Sequence, residues 1–417
     1  MAVASVDAEA VERAARLLES VVRRTPLDPS PRLSQLVGRP VSLKREDVQI
    51  GRSYKVRGAY NMISSLTAEQ RATGVVCASA GNHAQGVAFS CATLGILGTV
   101  FLPSTTSRQK RERIRAIGGA WIELVIAGST YDEAAATAVA DATTRGAVYV
   151  HPFDDPHIIA GQGTVAAELV SQQGGGLGTV VVPIGGGGLA AGVALWVRSR
   201  APEVRIVGAE PAGAASMSAA IERERPTTLP DIDTFVDGAA VARVGDLTFP
   251  LVRDLVDEIV TVAEGAVCTE MLDLYQAEGI IAEPAGALAS AAARELSDQL
   301  AGGPVVCVLS GGNNDVSRYA EVVERSLLHE GLRHYFLVSF RQEPGALRQF
   351  LDQILSEGED IVLFEYVKKN NRETGPALVG IELERADGLD ALLARMQRSP
   401  LQIEPVPPGS PLFWFVL

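Results

Sequence analysis

The sequence predicts an α/β protein with a mostly parallel sheet, followed by a small α+β unit towards the C-terminus. Three observations carry this reading. Short apolar runs alternate with helix-period stretches from about residue 40 to 325. Glycine-rich turns follow several of the runs and lead directly into helical segments. Beyond residue 331 the pattern becomes strand, helix, strand, strand, helix, strand, the order of a ferredoxin-like unit.

Taken in order, Val11, Ala15, Leu18 and Val22 recur at helical spacing, and Thr25-Pro26 closes that first helix. Residues 41–44, 75–78, 98–102, 121–125, 179–183, 205–209 and 305–309 read as buried strands. Residues 86–94, 106–117, 130–144 and 188–199 read as helices between them. In such sheets ligands bind beyond the carboxyl ends of strands, where the turns at Ser79 and Gly185 fall. In the tail, 334–340 alternates like a strand and Glu343-Pro344-Gly345 opens a helix that runs to Leu355. Residues 361–368 and 377–383 are strand-like, 388–397 helical, and 412–417 a last apolar strand reached through the stiff, proline-rich stretch 405–411. The tail holds no catalytic cluster.

A chain of 417 residues exceeds the size at which one core keeps growing, so two or three domains are expected. A net charge of −13 repels polyanions, and no nucleic-acid partner is expected. Cys77, Cys91, Cys268 and Cys307 are widely spaced with no C-x-x-C pair, which argues against a zinc site or a disulfide scaffold. Asp7, Glu9 and Glu12 occupy the place of an apolar leader, so no signal peptide is expected. No segment approaches the roughly 20 uncharged apolar residues of a membrane span. A cytoplasmic location away from membranes is the expectation.

Four short segments carry chemistry. Lys55 lies in Ser53-Tyr54-Lys55-Val56-Arg57-Gly58-Ala59, a half-apolar stretch opening a helix. A lysine that forms an imine must be partly neutral, and burial lowers its pKa; the ordinary alternative is a solvated surface charge. Ser79-Ala80-Gly81-Asn82-His83 follows a strand and precedes a helix, so its amides suit a carboxylate, although a capped helix with a tight turn would look the same. His83 alone would be read as a hydrogen-bonded structural residue. Gly185, Gly186, Gly187 and Gly188, followed by Leu189, let backbone amides surround a phosphate at a helix start. They lack the spacing of a dinucleotide fingerprint and the lysine of a nucleotide loop. Ser310-Gly311-Gly312-Asn313 places a hydroxyl after another strand, where it could meet a pyridine nitrogen. Serine cannot hold that nitrogen protonated, a setting that suits β-elimination better than transamination. A desolvated amine, a polar turn and a glycine cup together suggest one cofactor, pyridoxal 5'-phosphate.

These segments together resemble the fold-type II pyridoxal phosphate enzymes, tryptophan synthase β-like with two open α/β subdomains, and within them the threonine dehydratase family. The resemblance runs through nearly the whole chain. It includes Lys44-Arg45-Glu46-Asp47, residues 53–61 and 79–86, His151-Pro152-Phe153-Asp154-Asp155, Gly161-Gln162-Gly163-Thr164, residues 185–189, Gly208-Ala209-Glu210, Asp237-Gly238 and residues 310–313. The tail, with Gln342-Glu343-Pro344-Gly345-Ala346-Leu347 and Glu365-Tyr366-Val367-Lys368, is similar to the single ACT-like regulatory domain of the shorter biosynthetic form.

The resemblance implies a catalytic domain over 1–325, with a small subdomain of about 50–150 inserted in it, and a regulatory domain over 331–417. It implies that Lys55 binds the cofactor covalently and then acts as base at Cα, and that Asn82 bonds the phenolic oxygen. Gly185 to Leu189 would hold the phosphate, Ser310 the ring nitrogen, residues 79–83 the substrate carboxylate, and Tyr54 would cover the ring. The implied reaction takes L-threonine, with some L-serine, to the 2-oxo acid and ammonia as the first step of isoleucine synthesis. A branched-chain amino acid, with isoleucine as the expected inhibitor, would act on the C-terminal domain of a homodimer or homotetramer. The runners-up are a catabolic L-threonine/L-serine dehydratase, another β-eliminating relative, or a decayed amino-acid sensor. Serine racemases of this family resemble Ser-Ser-Gly-Asn-His at the loop, where the second serine is a base; here that position is Ala80, so racemisation is expected to be minor. Their divalent-ion residues match Glu210, Ala214 and Ser216, with Ser216 in place of an aspartate, so no metal is expected.

Overall fold

The computed structural model describes residues 6–297, 299–300, 302–368, 373–407 and 410–412. The chain divides into two units, Met1–Asp315 and Val316–Leu417. The strands of the first are β1 (Leu27–Pro29), β2 (Val41–Arg45), β3 (Val75–Ala78), β4 (Gly98–Leu102), β5 (Ile122–Ile126), β6 (Val148–Tyr149), β7 (Thr179–Pro183), β8 (Arg205–Pro211), β9 (Glu258–Val262) and β10 (Val305–Leu309). Among the described residues they form two sheets. One runs β1-β2-β10-β7-β8-β9, parallel except for β1; the other runs β5-β4-β3-β6 and is wholly parallel. The smaller sheet lies within the stretch between β2 and β7, so it is an insertion in the chain of the larger.

Except for β5, a sheet margin that is only half-buried, the strands read from the sequence are the central ones, because a strand buried on both faces is a continuous apolar run. Each residue of β3, β4, β7 and β10 is buried. Missed were the sheet margins β1, β6 and β9. The first two are three and two residues long, and β9 mixes Glu258 and Thr261 with its apolar residues. Trp121, read as the first residue of a strand, instead closes a short turn over Gly119–Trp121.

Two helices fix the frame of the cleft. Pro156–Gln173 starts at Asp155, whose carboxylate accepts from the amides of His157 and Ile158, carries Pro156 in its first turn, and stops at Gly174 with φ 72°. It crosses Lys55–Ser64 at glycines: a Cβ added to Gly161 would lie 2.6 Å from the Gly58 Cα. The backbones therefore touch, and the start of the lysine-bearing helix is held against a long buried one. All four cysteines are free and buried; burial lifts the Cys77 and Cys307 thiols well above their ordinary range and Cys91 to about 12. No helix among the described residues is long and apolar enough to cross a membrane.

The second unit has an antiparallel sheet of β11 (Arg333–Arg341), β12 (Glu359–Tyr366), β13 (Thr374–Leu383) and β14 (Gln402–Pro405) in the order β12-β13-β11-β14. Helices Ala346–Ile354 and Leu389–Arg398 cover a core of Phe336, Val338, Phe340, Phe350, Val379, Ile381 and Leu392. This is the expected strand, helix, strand, strand, helix, strand order, with one displacement. Among the described residues the last strand is β14; the strand expected over 412–417 lies, apart from Leu412, outside the described residues. Pro405 ends it opposite Phe336 at the sheet margin, where a missing N–H is tolerated. The preceding helix Tyr319–His329 joins this unit through Glu324, which accepts from the Tyr335 hydroxyl at 2.6 Å and pairs with Arg333.

Candidate active site

Lys55 opens helix Lys55–Ser64, and what fixes it is two residues further on. Arg57 is fully buried and reaches back with Nε and a terminal nitrogen to both Glu46 oxygens at 2.8 Å. It also donates to Glu168 at 2.7 Å, and Glu168 accepts from the buried Lys44 amine at 2.6 Å. Burial alone would raise the Glu46 carboxyl, but Arg57 takes it below its ordinary value. This network ties the lysine-bearing helix to β2 and to helix Pro156–Gln173. The Lys55 amine itself donates to the Pro152 carbonyl at 2.9 Å and lies 5.3 Å from the Tyr54 ring centroid. Burial brings its pKa down to about 8, with Glu283 opposing, so a useful fraction of the amine is neutral near neutral pH.

The segment that holds the amine also shapes the glycine loop. Pro152 is followed by Phe153, whose ring would lie 2.3 Å from a Cβ on Gly186 and whose carbonyl oxygen would lie 2.9 Å from one on Gly188. Gly187 has φ 91°, and a Cβ there would strike Met217 and Thr248. Asp154 then accepts from the amides of Asp246, Leu247 and Thr248, while the Thr248 hydroxyl donates to the Gly186 carbonyl at 2.6 Å. His151 accepts through Nδ1 from the amides of Phe153 and Asp154, which ties off the turn. Helix Gly188–Arg200 begins with no side chain capping it, so its first amides face the loop side free of a side-chain partner. Leu189 is buried in the core of the larger sheet, leaving only its backbone for a ligand.

The turn after β3 supplies a second such helix start. Asn82–Leu94 is capped by Gly81 without a side-chain bond, and the Ser79 hydroxyl accepts from the Gly81 amide at 3.2 Å. Asn82 donates through Nδ2 to Glu283 at 2.6 Å and accepts at Oδ1 from Asn313 at 2.6 Å. His83 turns the other way: its imidazole donates through Nε2 to the Val150 carbonyl at 2.9 Å, and burial, with the Lys55 and His151 charges, holds its pKa down to about 3. Its contribution to an anion site is its backbone. Ala80 packs its methyl towards the core of the smaller sheet. Ser310 follows β10 and donates its hydroxyl to the Ala285 carbonyl at 3.0 Å, so it must rotate to meet a ring nitrogen. Its own carbonyl accepts from the Tyr54 amide at 3.2 Å, which brings the serine next to the lysine.

The 151–155 stretch and residues 310–313 stand out in the sequence, but roles for Pro152, Phe153, Asp154, Asn313, Thr248 and Glu283 emerge only from the fold. A signal for Glu283 existed: an acid before Pro284 in the otherwise uncharged stretch 280–293. Among the described residues no group of three or more His, Cys, Asp or Glu is arranged to hold a metal ion. Glu210 is occupied by the amides of Met217 and Ser218 and the Ser218 hydroxyl.

These residues fit pyridoxal phosphate. A loop whose added Cβ atoms would clash presents bare amides for a phosphate, a half-buried amine with lowered pKa bonds the carbonyl beside the Phe153 that underlies this loop, and Asn313 Oδ1 is buried without a partner. Fold and site define a pyridoxal-phosphate-dependent enzyme. The description "Pyridoxal-phosphate dependent enzyme" matches residues 18–311, and "C-terminal regulatory domain of Threonine dehydratase" matches residues 324–416. The "L-threonine dehydratase biosynthetic IlvA" of Mycobacterium tuberculosis H37Rv is 56% identical over 98% of this chain and 95% of its own; that of Bacillus subtilis is 46% identical over 96% and 95%. Processed threonine deaminase isoform 2 from Solanum lycopersicum superposes with TM-score 0.72 at 37% identity, covering 78% of this chain and 95% of that one. Maize serine racemase gives 0.71 at 32% identity, covering 78% and 99%. The chain belongs to the threonine dehydratase family of these enzymes.

Proposed function

We propose that this chain is a biosynthetic threonine dehydratase, converting L-threonine to 2-oxobutanoate and ammonia. The observation that carries this is the half-buried Lys55 amine on the Pro152 carbonyl, one residue from the Phe153 ring that underlies the glycine loop. Bound pyridoxal phosphate supplies an electron sink for the pair left when a Cα–H bond breaks. The amides at the start of Gly188–Arg200 would hold its phosphate, and Tyr54, whose ring lies 5.3 Å from the Lys55 amine, would cover the cofactor ring. Asn82, through the Nδ2 hydrogen that Glu283 does not take, would donate to the phenolic oxygen, and Ser310, once turned from Ala285, would donate to the ring nitrogen. The amides opening Asn82–Leu94 orient the substrate carboxylate. Lys55 takes up the Cα proton at Nζ, its lowered pKa suiting it to both gain and lose a proton near neutrality. Ala80 offers no proton on the opposite face, which supports elimination over racemisation.

Borohydride reduction of protein reconstituted with the cofactor, followed by peptide mapping, is expected to place the adduct on Lys55. An adduct elsewhere, or none, overturns the reading. Comparable initial rates of L-to-D serine conversion and threonine dehydration would overturn the assignment of Ala80. For residues 331–417 the reading is a sensor of branched-chain amino acids that feeds back on the first unit, supported by the match to a regulatory domain. Titration calorimetry with isoleucine and valine on the full chain should give heat; silence from both ligands would leave that unit without a sensory role.

A further inference from the structure

Glu283 has no part in the steps above, yet it stands among the residues that carry them. It precedes helix Pro284–Glu295, is 5% exposed, and leaves that helix uncapped. Its Oε1 accepts from Asn82 Nδ2 at 2.6 Å and its Oε2 from the Asn313 amide at 3.2 Å. Asn313 Nδ2 donates in turn to Asn82 Oδ1 and to the Gly51 carbonyl, each at 2.6 Å. The ring of contacts is tight, since a Cβ on Gly311 would lie 2.2 Å from Glu283 Oε1.

A carboxamide can offer a ligand either its N–H or its oxygen. A carboxylate accepts only, so ionised Glu283 draws the NH₂ of Asn82 to itself while Asn313 takes the oxygen. One hydrogen on Asn82 Nδ2 is then left, and it is the one a phenolic oxygen requires. We propose that Glu283 is a positioning residue whose ionised carboxylate sets the orientation of Asn82 and keeps an N–H, not a carbonyl, directed at the cofactor. This rests on the cleft being the pyridoxal phosphate site.

A protonated Glu283 can donate as well as accept, and the orientation of Asn82 then rests on the Asn313 donor alone. Burial brings the carboxyl up to about 7, with the Asp237 charge adding and the bonds from Asn82 and Asn313 and the Lys110 charge opposing. The charged and titratable groups that face it are Asp237, paired with Lys110 at 3.0 Å, and Lys55 with Tyr54 from the cofactor side. Lys55 is occupied by the cofactor in the loaded enzyme, which leaves Glu283 to titrate.

The test is Glu283→Gln in the holoenzyme, which keeps the volume and removes the titration. In the parent protein the visible spectrum of the bound cofactor and kcat/KM should follow one ionisation with a midpoint near 7, kcat/KM falling about ten-fold from about pH 8 to about pH 6. Glu283→Gln should be flat through that range in both readouts. A spectral titration of unchanged midpoint and amplitude in the variant overturns the proposal. If the glutamine variant does not load, Asn313→Ala keeps the acid and removes the other group that orients Asn82, so the spectral titration must persist with at least the parent amplitude; a titration that is lost overturns it equally. Parent protein that takes up no cofactor would instead sink the underlying reading of the cleft.

Discussion

Lys55 has a carbonyl, an aromatic ring and a distant acid around it, and no direct counter-ion among the described residues. Replacing it by alanine should cut 2-oxobutanoate formation by about 10²–10⁴-fold or more while leaving the fold intact; wild-type rates would end its assignment. Gly186→Ala acts on the opposite wall. Its new Cβ must displace the Phe153 ring, at a cost of about 1–3 kcal/mol, so cofactor affinity measured by equilibrium dialysis should drop about ten-fold or more. His83 gives a pH dependence. Its folded pKa is depressed to about 3 from 6.5, so between those values the unfolded chain holds a proton that the folded chain does not. Stability conferred by the neutral ring is complete above about pH 6.5 and is lost as pH falls towards 3, by up to about 1.4 kcal/mol per pH unit. Urea melts of the parent and of His83→Asn across that window should converge as the pH is lowered.

The helix Lys55–Ser64 is aimed by charges that its own reaction does not use. Removing Arg57 leaves the buried Glu46 without its paired cation and Glu168 with Lys44 alone, and Arg57→Ala is expected to cost about 3–5 kcal/mol and to lower cofactor loading, read by denaturant midpoint and by absorbance. An effect under about 1 kcal/mol would mean the network is solvated. None of this was visible in the sequence, where Lys44-Arg45-Glu46-Asp47 was only a matching motif; a buried ion pair depends on partners over 100 residues away, such as Glu168. The elements themselves were far more legible. Apolar runs such as Val305 to Leu309 announce a strand buried on both faces, and a glycine turn after such a run announces a ligand. β6 has two residues and no such pattern, and β14 hid behind Pro405, which read as connector. Glu283 was missed because an isolated acid acquires meaning only when folding brings Asn82 and Asn313 to it.

At the level of the molecule, two units with separate cores predict two responses to ligands. Calorimetric melting should resolve a transition that rises with pyridoxal phosphate and another that rises with a branched-chain amino acid, each by about 2.7 kcal/mol at a hundredfold excess over Kd. A single transition moved by both would show that the units unfold as one. The division was legible from the change of pattern near residue 331, although helix Tyr319–His329 belongs to the second unit through Glu324 and Arg333, contacts that no periodicity reveals.

The four enclosed thiols have a practical consequence. Maleimides and disulfide reagents need an accessible thiolate, and none of Cys77, Cys91, Cys268 or Cys307 presents one in the folded chain. A single cysteine engineered at exposed Thr105, near the mouth of the smaller sheet, would therefore take a dye or spin label against a silent background. Spectroscopy could then follow this enzyme at work without first stripping it of its native sulfur.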